Sequence, residues 1–118
     1  MKKILMIFLI LLMTVPVKAK TLNAYDGVNH FNGRKETYYN LPMQRIIDKA
    51  KNKGIYGEYW VREDGVKMYG HYVIIAAPFD VYPYGTIVEA TSLGDAIVLD
   101  TGGFAEFNKQ QIDIATAW

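Results

Sequence analysis

Two aspartates near the carboxyl end of the chain are placed where side chains could do chemistry. Asp100 closes a short apolar run and precedes Thr101, Gly102 and Gly103, and Asp113 stands between two isoleucines. Both runs are typical of buried strands, and alternation turns Asp113 away from its isoleucine neighbours. The double glycine permits positive φ and close backbone approach. Because a carboxylate on a strand made for burial is costly unless it is paired or used, the pattern indicates a site.

A pair of carboxyls suits acid/base cleavage of a glycosidic bond. That reaction needs a carboxylic acid to protonate the leaving oxygen and a base to activate the attacking hydroxyl. An aspartate at its ordinary pKa of about 3.9 would be ionised, but burial and a neighbouring carboxylate both raise that pKa. Asp113, with Asp100 near it, would experience both effects. The alternative is structural: Asp100 would cap the Thr-Gly-Gly turn through backbone amides, and Asp113 would be a satisfied core residue.

The start of the chain has the pattern of a secretory signal peptide. A basic pair, Lys2 and Lys3, precedes an apolar run over residues 4–15, and small residues follow at Val17 and Ala19. The run is shorter than the ~20 residues that span a bilayer. We predict cleavage after Ala19, with an uncleaved anchor as the alternative. No cysteine lies near the exit, which excludes a lipoprotein.

Charge and composition narrow the classes of partner. Removal of residues 1–19 would take away three of the 13 basic residues and none of the 12 acidic ones. The remaining chain would have 10 basic and 12 acidic residues, and its net charge would be −2 instead of +1. A nucleic-acid binder normally carries a basic patch, so that class is excluded. Without cysteine, an exported domain rests on its own core, which fits a bacterial envelope. The two histidines, His30 and His71, lie far apart, so we expect no metal and no cofactor.

The elements that must position the two aspartates are mostly strands. Residues 20–39 are polar and are predicted to be a loop with two turns. Apolar spacing predicts one helix from Leu41 to Lys53, capped by Asn40 and ended by Gly54. Beyond it, five or six short strands separated by glycine turns predict a small closed barrel. The expected organisation is a signal peptide (1–19), an N-terminal loop and helix (20–57) and a barrel (58–118), with 20–118 as a single globular unit.

Residues 76–86, 93–103 and 112–114 carry a recognisable pattern. Asp-Thr-Gly-Gly is followed at a short interval by Ile-Asp, and a Pro-x-Gly-Thr turn precedes both. In this pattern the chain resembles the 3D domain, a family named for three aspartates. That family is similar to the barrel core of membrane-bound lytic transglycosylase A. The resemblance covers residues 72–118, roughly half of the chain that would remain after signal cleavage.

The resemblance implies a six-stranded double-psi β-barrel and a site that acts on peptidoglycan glycan strands. Asp113 would match the general acid and base of the transglycosylase, and Asp100 the aspartate that supports it. The first family aspartate stands where this chain has Pro78, so Asp80 would have to replace it. Two extra residues precede the Ile-Asp pair, and the transglycosylase's second domain has no counterpart. The predicted glycan contacts are Asp80, Tyr84, Thr101, Gly102, Gly103 and Phe104, with Tyr82 as a further candidate.

Three functions from different classes follow. The first is an exported enzyme of lytic-transglycosylase or glycosidase type in peptidoglycan turnover. The second is a barrel that binds cell-wall glycan without cutting it, and the third is a structural or interaction protein of the envelope. In each case we expect a secreted monomer in the cell wall, with no stable membrane anchor after signal cleavage.

Overall fold

The computed structural model describes residues 20–118, which contain eight strands, one α-helix and one short 3-10 helix (Gly103–Glu106). The prediction of a small, mainly β protein with one helix is confirmed, whereas the predicted signal peptide lies outside the described residues. No helix within residues 20–118 is long and apolar enough to cross a membrane. The strands are β1 (Val28–Phe31), β2 (Arg34–Tyr39), β3 (Tyr59–Val61), β4 (Lys67–Tyr69), β5 (Tyr72–Ala76), β6 (Ile87–Thr91), β7 (Gly94–Asp100) and β8 (Gln111–Ala115); the helix α1 spans Gln44–Asn52.

The segment predicted to be a loop contains the hairpin β1–β2. Asn32 and Gly33 both have positive φ, 52° and 78°, as a two-residue hairpin turn of type I′ requires. β2 then pairs in parallel with β8, from Lys35 opposite Gln111 to Tyr39 opposite Ala115. The loop prediction was wrong because β2 is polar and its pairing partner lies about 75 residues away in the sequence.

The helix starts later than the sequence predicted. It begins after Met43, which makes no side-chain cap, whereas the Asn40 side chain accepts a hydrogen bond from Lys67 Nζ at 2.8 Å. Asn40 is therefore tied to the sheet and does not cap the helix. At the other end Gly54 has φ of 81° and its N–H donates to the carbonyl of Lys51, so the predicted glycine stop is confirmed.

The sheet branches at β5 and does not close into a barrel within the described residues. The strand order runs β1-β2-β8-β5-β4-β3, and β7 pairs with both β5 and β6. One edge of β5 is shared: Tyr72 and Val73 pair with β4, and Ile75 and Ala76 pair with β8. The other edge takes β7 in parallel. Residues 58–118 do contain six strands, but the prediction of a closed six-stranded barrel is wrong because β6 has no second backbone partner there.

Side chains, not backbone pairing, connect β2 to β6. Arg34 Nη2 donates to the carbonyls of Glu89 and Ala90 at 2.8 Å each. Ala90 has φ of 57° and lies within a break in the β6–β7 register, which leaves these carbonyls open to a side-chain donor. The sheet therefore curves toward itself and is joined by polar side chains at the point where a barrel would close.

The curved sheet has an apolar core on each face. Alternation along β5 sends Val73 and Ile75 to one face and Ile74 to the other. We call the first the inner core; it also contains Leu22, Val66, Met68, Ala77, Val88, Ala96, Val98, Ile112 and Ile114. The second, the helix-side core, holds α1 against the sheet and contains Met43, Ile46, Ile47, Ala50, Tyr69, Ile97, Leu99 and Ala115.

Candidate functional site

The two aspartates singled out in the sequence flank one residue of β5. Ala76 pairs with Asp113 of β8 across one edge and with Asp100 of β7 across the other. The register of β5 and β7 shifts between Ile75 and Ala76, and this irregularity aligns Asp100 with Ala76. The sheet thus places the two aspartates on the two strands next to β5, close enough for the charge of Asp100 to raise the pKa of Asp113. We call Asp100 and Asp113 the aspartate pair.

Asp113 is half-buried, and its carboxyl accepts a hydrogen bond. Thr37, which lies opposite it on β2, donates from its hydroxyl to Asp113 Oδ1 at 3.1 Å. Burial raises the pKa of Asp113; the Thr37 hydrogen bond acts in the opposite direction, and the negative charge of Asp100 adds to the rise. A carboxyl with a raised pKa holds its proton to higher pH, as a general acid must.

Asp100 ends β7 and helps to order the turn that follows. Its Oδ1 accepts the backbone N–H of Thr101 at 2.9 Å. This contact agrees with the structural alternative for Asp100. Gly102 has an extended φ of −150°, and neither it nor Gly103 has positive φ, so this turn does not use the positive φ that the two glycines permit. A Cβ at Gly102 would contact the Phe104 ring at 3.3 Å, which indicates a close fit there.

Two tyrosines border the aspartate pair. The hydroxyls of Tyr39 and Tyr84 are buried and have no hydrogen-bond partner within residues 20–118. Burial raises the pKa of Tyr39, and the charges of Asp100 and Asp113 raise it further. Burial likewise raises the pKa of Tyr84, with contributions from Tyr69 and Asp100. Both hydroxyls therefore remain protonated donors beside the carboxyls.

The predicted contact Asp80 lies on an exposed turn and is engaged elsewhere. Its carboxylate forms an ion pair with Lys109 at 2.9 Å, and this contact lowers its pKa. Asp80 thus tethers the loop after β5 to the loop before β8 instead of joining the aspartate pair.

Tyr84, in the same loop as Asp80, packs edge-on against Phe79 with ring centres 6.1 Å apart. Tyr82, the further candidate for a glycan contact, is partly buried and packs against the inner core.

Two surface grooves lie away from the aspartate pair. One, of about 400 Å³, runs between the β1–β2 turn and the loop before β8 and includes His30, Arg34 and Asn108. The other, of about 600 Å³, lies between the start of α1 and residues 57–59. Neither is lined by Asp100 or Asp113.

The raised pKa of Asp113 makes a prediction about stability. A carboxyl whose pKa is higher in the folded than in the unfolded protein favours folding fully below its ordinary pKa of about 3.9, and that contribution is lost as pH rises through the folded value. Asn cannot ionise and still accepts the Thr37 hydrogen bond. We therefore expect the natural chain to lose stability relative to Asp113→Asn as the pH rises from about 4 to about 7. Urea unfolding of both proteins measures this as an increasing difference, variant minus natural chain, in the free energy of unfolding. A difference that stays constant or decreases would show that folding does not raise the pKa of Asp113.

No group of three or more His, Cys, Asp or Glu side chains that could hold a metal ion occurs in residues 20–118.

Comparison of the chain with protein-family models, curated proteins and solved structures finds no match. The resemblance to the 3D family accordingly stays a prediction from sequence motifs.

Thr37 and Tyr39 were missed because their segment was predicted to be a loop. The signal that could have identified them is the Asn32-Gly33 turn, which favours a hairpin and hence a strand over residues 34–39.

Proposed function

We propose that the chain is an exported cell-wall protein that cleaves peptidoglycan glycan strands by acid/base catalysis. The observation that carries the proposal is the aspartate pair across Ala76, with the pKa of Asp113 raised by burial and by Asp100. One carboxyl that holds a proton beside a second that bears charge is the arrangement that glycosidic cleavage requires.

In this mechanism Asp113 acts twice. As a carboxylic acid it gives its proton to the bridging oxygen while the bond from that oxygen to the anomeric carbon breaks. The ionised Asp113 then takes the proton of the sugar's own C6 hydroxyl as that oxygen bonds to the anomeric carbon. The products are a free hydroxyl end and an anhydro-sugar end, no water is consumed, and Asp113 regains its proton. Asp100 keeps Asp113 protonated at the start and stabilises the positive charge that develops at the anomeric carbon.

Surrounding residues would hold the glycan. Thr101, Gly102 and Gly103 offer exposed backbone next to Asp100, and Phe104 follows them. Phe79, which is 37% exposed, presents aromatic surface in the neighbouring loop and packs against Tyr84. Aromatic side chains supply large, rigid contact area, which suits a sugar ring. Peptidoglycan strands are thus the proposed partner, and the cell wall the proposed location of a monomeric protein.

A second candidate function is glycan binding without cleavage. It is favoured by the ion pair of Asp80 with Lys109, which keeps that carboxylate out of the aspartate pair, and by the grooves that lie elsewhere. A pure binding module would need no proton donor.

The test uses residues 20–118 and purified sacculi. Turbidity is followed over time, and the protein that co-sediments with the sacculi is measured in parallel. Cleavage predicts that turbidity falls. Co-sedimentation with constant turbidity would favour the binding module, and absence of both would reject an action on peptidoglycan.

A further inference from the structure

Tyr39, the last residue of β2, lies on the same side of the sheet as Asp113. In the parallel pairing of β2 with β8, Thr37 is opposite Asp113 and Tyr39 is opposite Ala115. Alternate residues of a strand share a face, so Thr37 and Tyr39 form one row beside β8. Tyr39 packs against the helix-side core, to which Ala115 also belongs. Within this row Tyr39 is the residue next to the Thr37 hydroxyl that already contacts Asp113.

The Tyr39 hydroxyl is a buried donor without an acceptor among the described residues. Such a group is expensive in a native protein, and its hydroxyl is available to donate to an acceptor within reach. The hydroxyl stays protonated, because burial and the two carboxyls raise the pKa of Tyr39. The charge of Asp100 raises the pKa of Tyr39 more than that of Asp113 does, but Asp113 lies on β8, the strand that pairs with β2. Once ionised, Asp113 becomes a stronger acceptor, since an ionised carboxylate accepts shorter and stronger hydrogen bonds than a neutral one.

We propose that Tyr39 is a positioning residue of the aspartate pair, and that its hydroxyl turns to donate a hydrogen bond to Asp113 whenever that carboxyl loses its proton. The catalytic meaning of this inference rests on the proposed function, but the hydrogen bond itself does not. During glycan cleavage Asp113 is ionised between its two proton transfers. Tyr39 and Thr37 together then hold the ionised carboxylate in place, against the repulsion of Asp100.

The other charged and titratable groups around the pair are accounted for by their own contacts. Lys49 of α1 and Lys53, the residue that follows α1, lie over the Tyr84 ring, 5.3 and 5.2 Å from its centre. Tyr69 donates its hydroxyl to the carbonyl of Ile55 at 2.7 Å. Tyr39 is therefore the described tyrosine whose pKa responds to both aspartates and whose hydroxyl is uncommitted.

The test compares Tyr39→Phe with the matched variant Tyr38→Phe. Tyr38 is the neighbouring residue, packs on the inner core, and donates its hydroxyl to the carbonyl of Ala24 at 3.4 Å. In each protein the carboxyl carbon of Asp113 is titrated by NMR. Loss of a hydrogen bond to the ionised form should make Asp113 roughly a tenfold weaker acid in Tyr39→Phe, and should leave it unchanged in Tyr38→Phe. An unchanged Asp113 titration in folded Tyr39→Phe, or an equal change in Tyr38→Phe, would overturn the inference.

Two further measurements separate this inference from the proposed function. Circular dichroism shows whether each variant folds, and removal of one hydroxyl at constant ring volume should leave the spectrum unchanged. If the natural chain cleaves sacculi, the pH at which the rate falls for lack of protonated Asp113 should move upward in Tyr39→Phe. If it does not cleave them, the NMR result still decides whether Tyr39 acts on Asp113.

Discussion

Glycan cleavage should fall about a hundredfold to ten-thousandfold in Asp113→Asn, the range that a general acid or base contributes. Asn fills the same space and accepts the Thr37 hydrogen bond, but it can neither give a proton to the bridging oxygen nor remove one from the C6 hydroxyl. The variant should remain folded, because Asp113 is only half-buried and its neutral form is the one that burial favours. Initial rates of soluble fragment release from sacculi measure the effect.

Two further aspartate-to-asparagine variants serve as comparisons for Asp113→Asn. Asp100→Asn should reduce the rate less, roughly tenfold, because it removes the charge that helps to raise the pKa of Asp113 but leaves the proton carrier in place. Asp48→Asn changes an exposed helix carboxylate that accepts a hydrogen bond from Gln44, and it should have no effect on the rate. Equal rates for Asp113→Asn and the natural chain would contradict the catalytic role, whereas the binding module predicts unchanged affinity for sacculi in all three variants.

The largest loss of stability is expected in Glu36→Ala. The Glu36 side chain is 0% exposed, and it accepts hydrogen bonds from the backbone N–H of Ser92, the Ser92 hydroxyl and the Asn29 side chain. Truncation leaves these donors without their acceptor in the inner part of the fold and opens a cavity. We expect the free energy of unfolding to fall by about 3 kcal/mol or more.

Glu36 also connects distant parts of the chain. Ser92 Oγ accepts the backbone N–H of Leu22 at 3.0 Å, and Asn29 donates to the carbonyl of Lys20 at 3.1 Å. The network thus fastens the start of the described chain to the β6–β7 turn.

Urea unfolding of Glu36→Ala should be compared with that of Glu36→Gln, which keeps one acceptor oxygen, and of Glu63→Ala in the exposed β3–β4 turn. Glu36→Gln should lose less than Glu36→Ala, and Glu63→Ala should stay within about 0.5 kcal/mol of the natural chain. A loss below about 1 kcal/mol in Glu36→Ala would show that the network contributes little.

The aspartate pair illustrates what local sequence patterns predict. The apolar runs that end at Asp100 and surround Asp113 do form β7 and β8, because burial on both faces of a short strand leaves a clear pattern. Their alignment on Ala76 could not be predicted from those runs. It depends on a parallel and an antiparallel pairing to the same strand and on the register shift after Ile75.

The polar strand β2 shows the limit of the same reasoning. Its residues Arg34–Tyr39 lack the apolar alternation of a strand, and their conformation is decided by pairing to β8 and by partners such as Ser92. Propensity gives little guidance where tertiary contacts decide the structure. Glu36, Thr37 and Tyr39 all lie on this strand, so one missed element concealed both the buried network and half of the site.

The most direct test of the central claim is mass spectrometry of the sugar ends that the protein releases from sacculi, carried out in heavy-oxygen water with the natural chain and with Asp113→Asn. Internal attack by the C6 hydroxyl predicts anhydro ends that carry no solvent oxygen, formed by the natural chain and lost in the variant. Ends that carry heavy oxygen, or ends that the variant releases at the same rate, would contradict an Asp113 that serves first as acid and then as base.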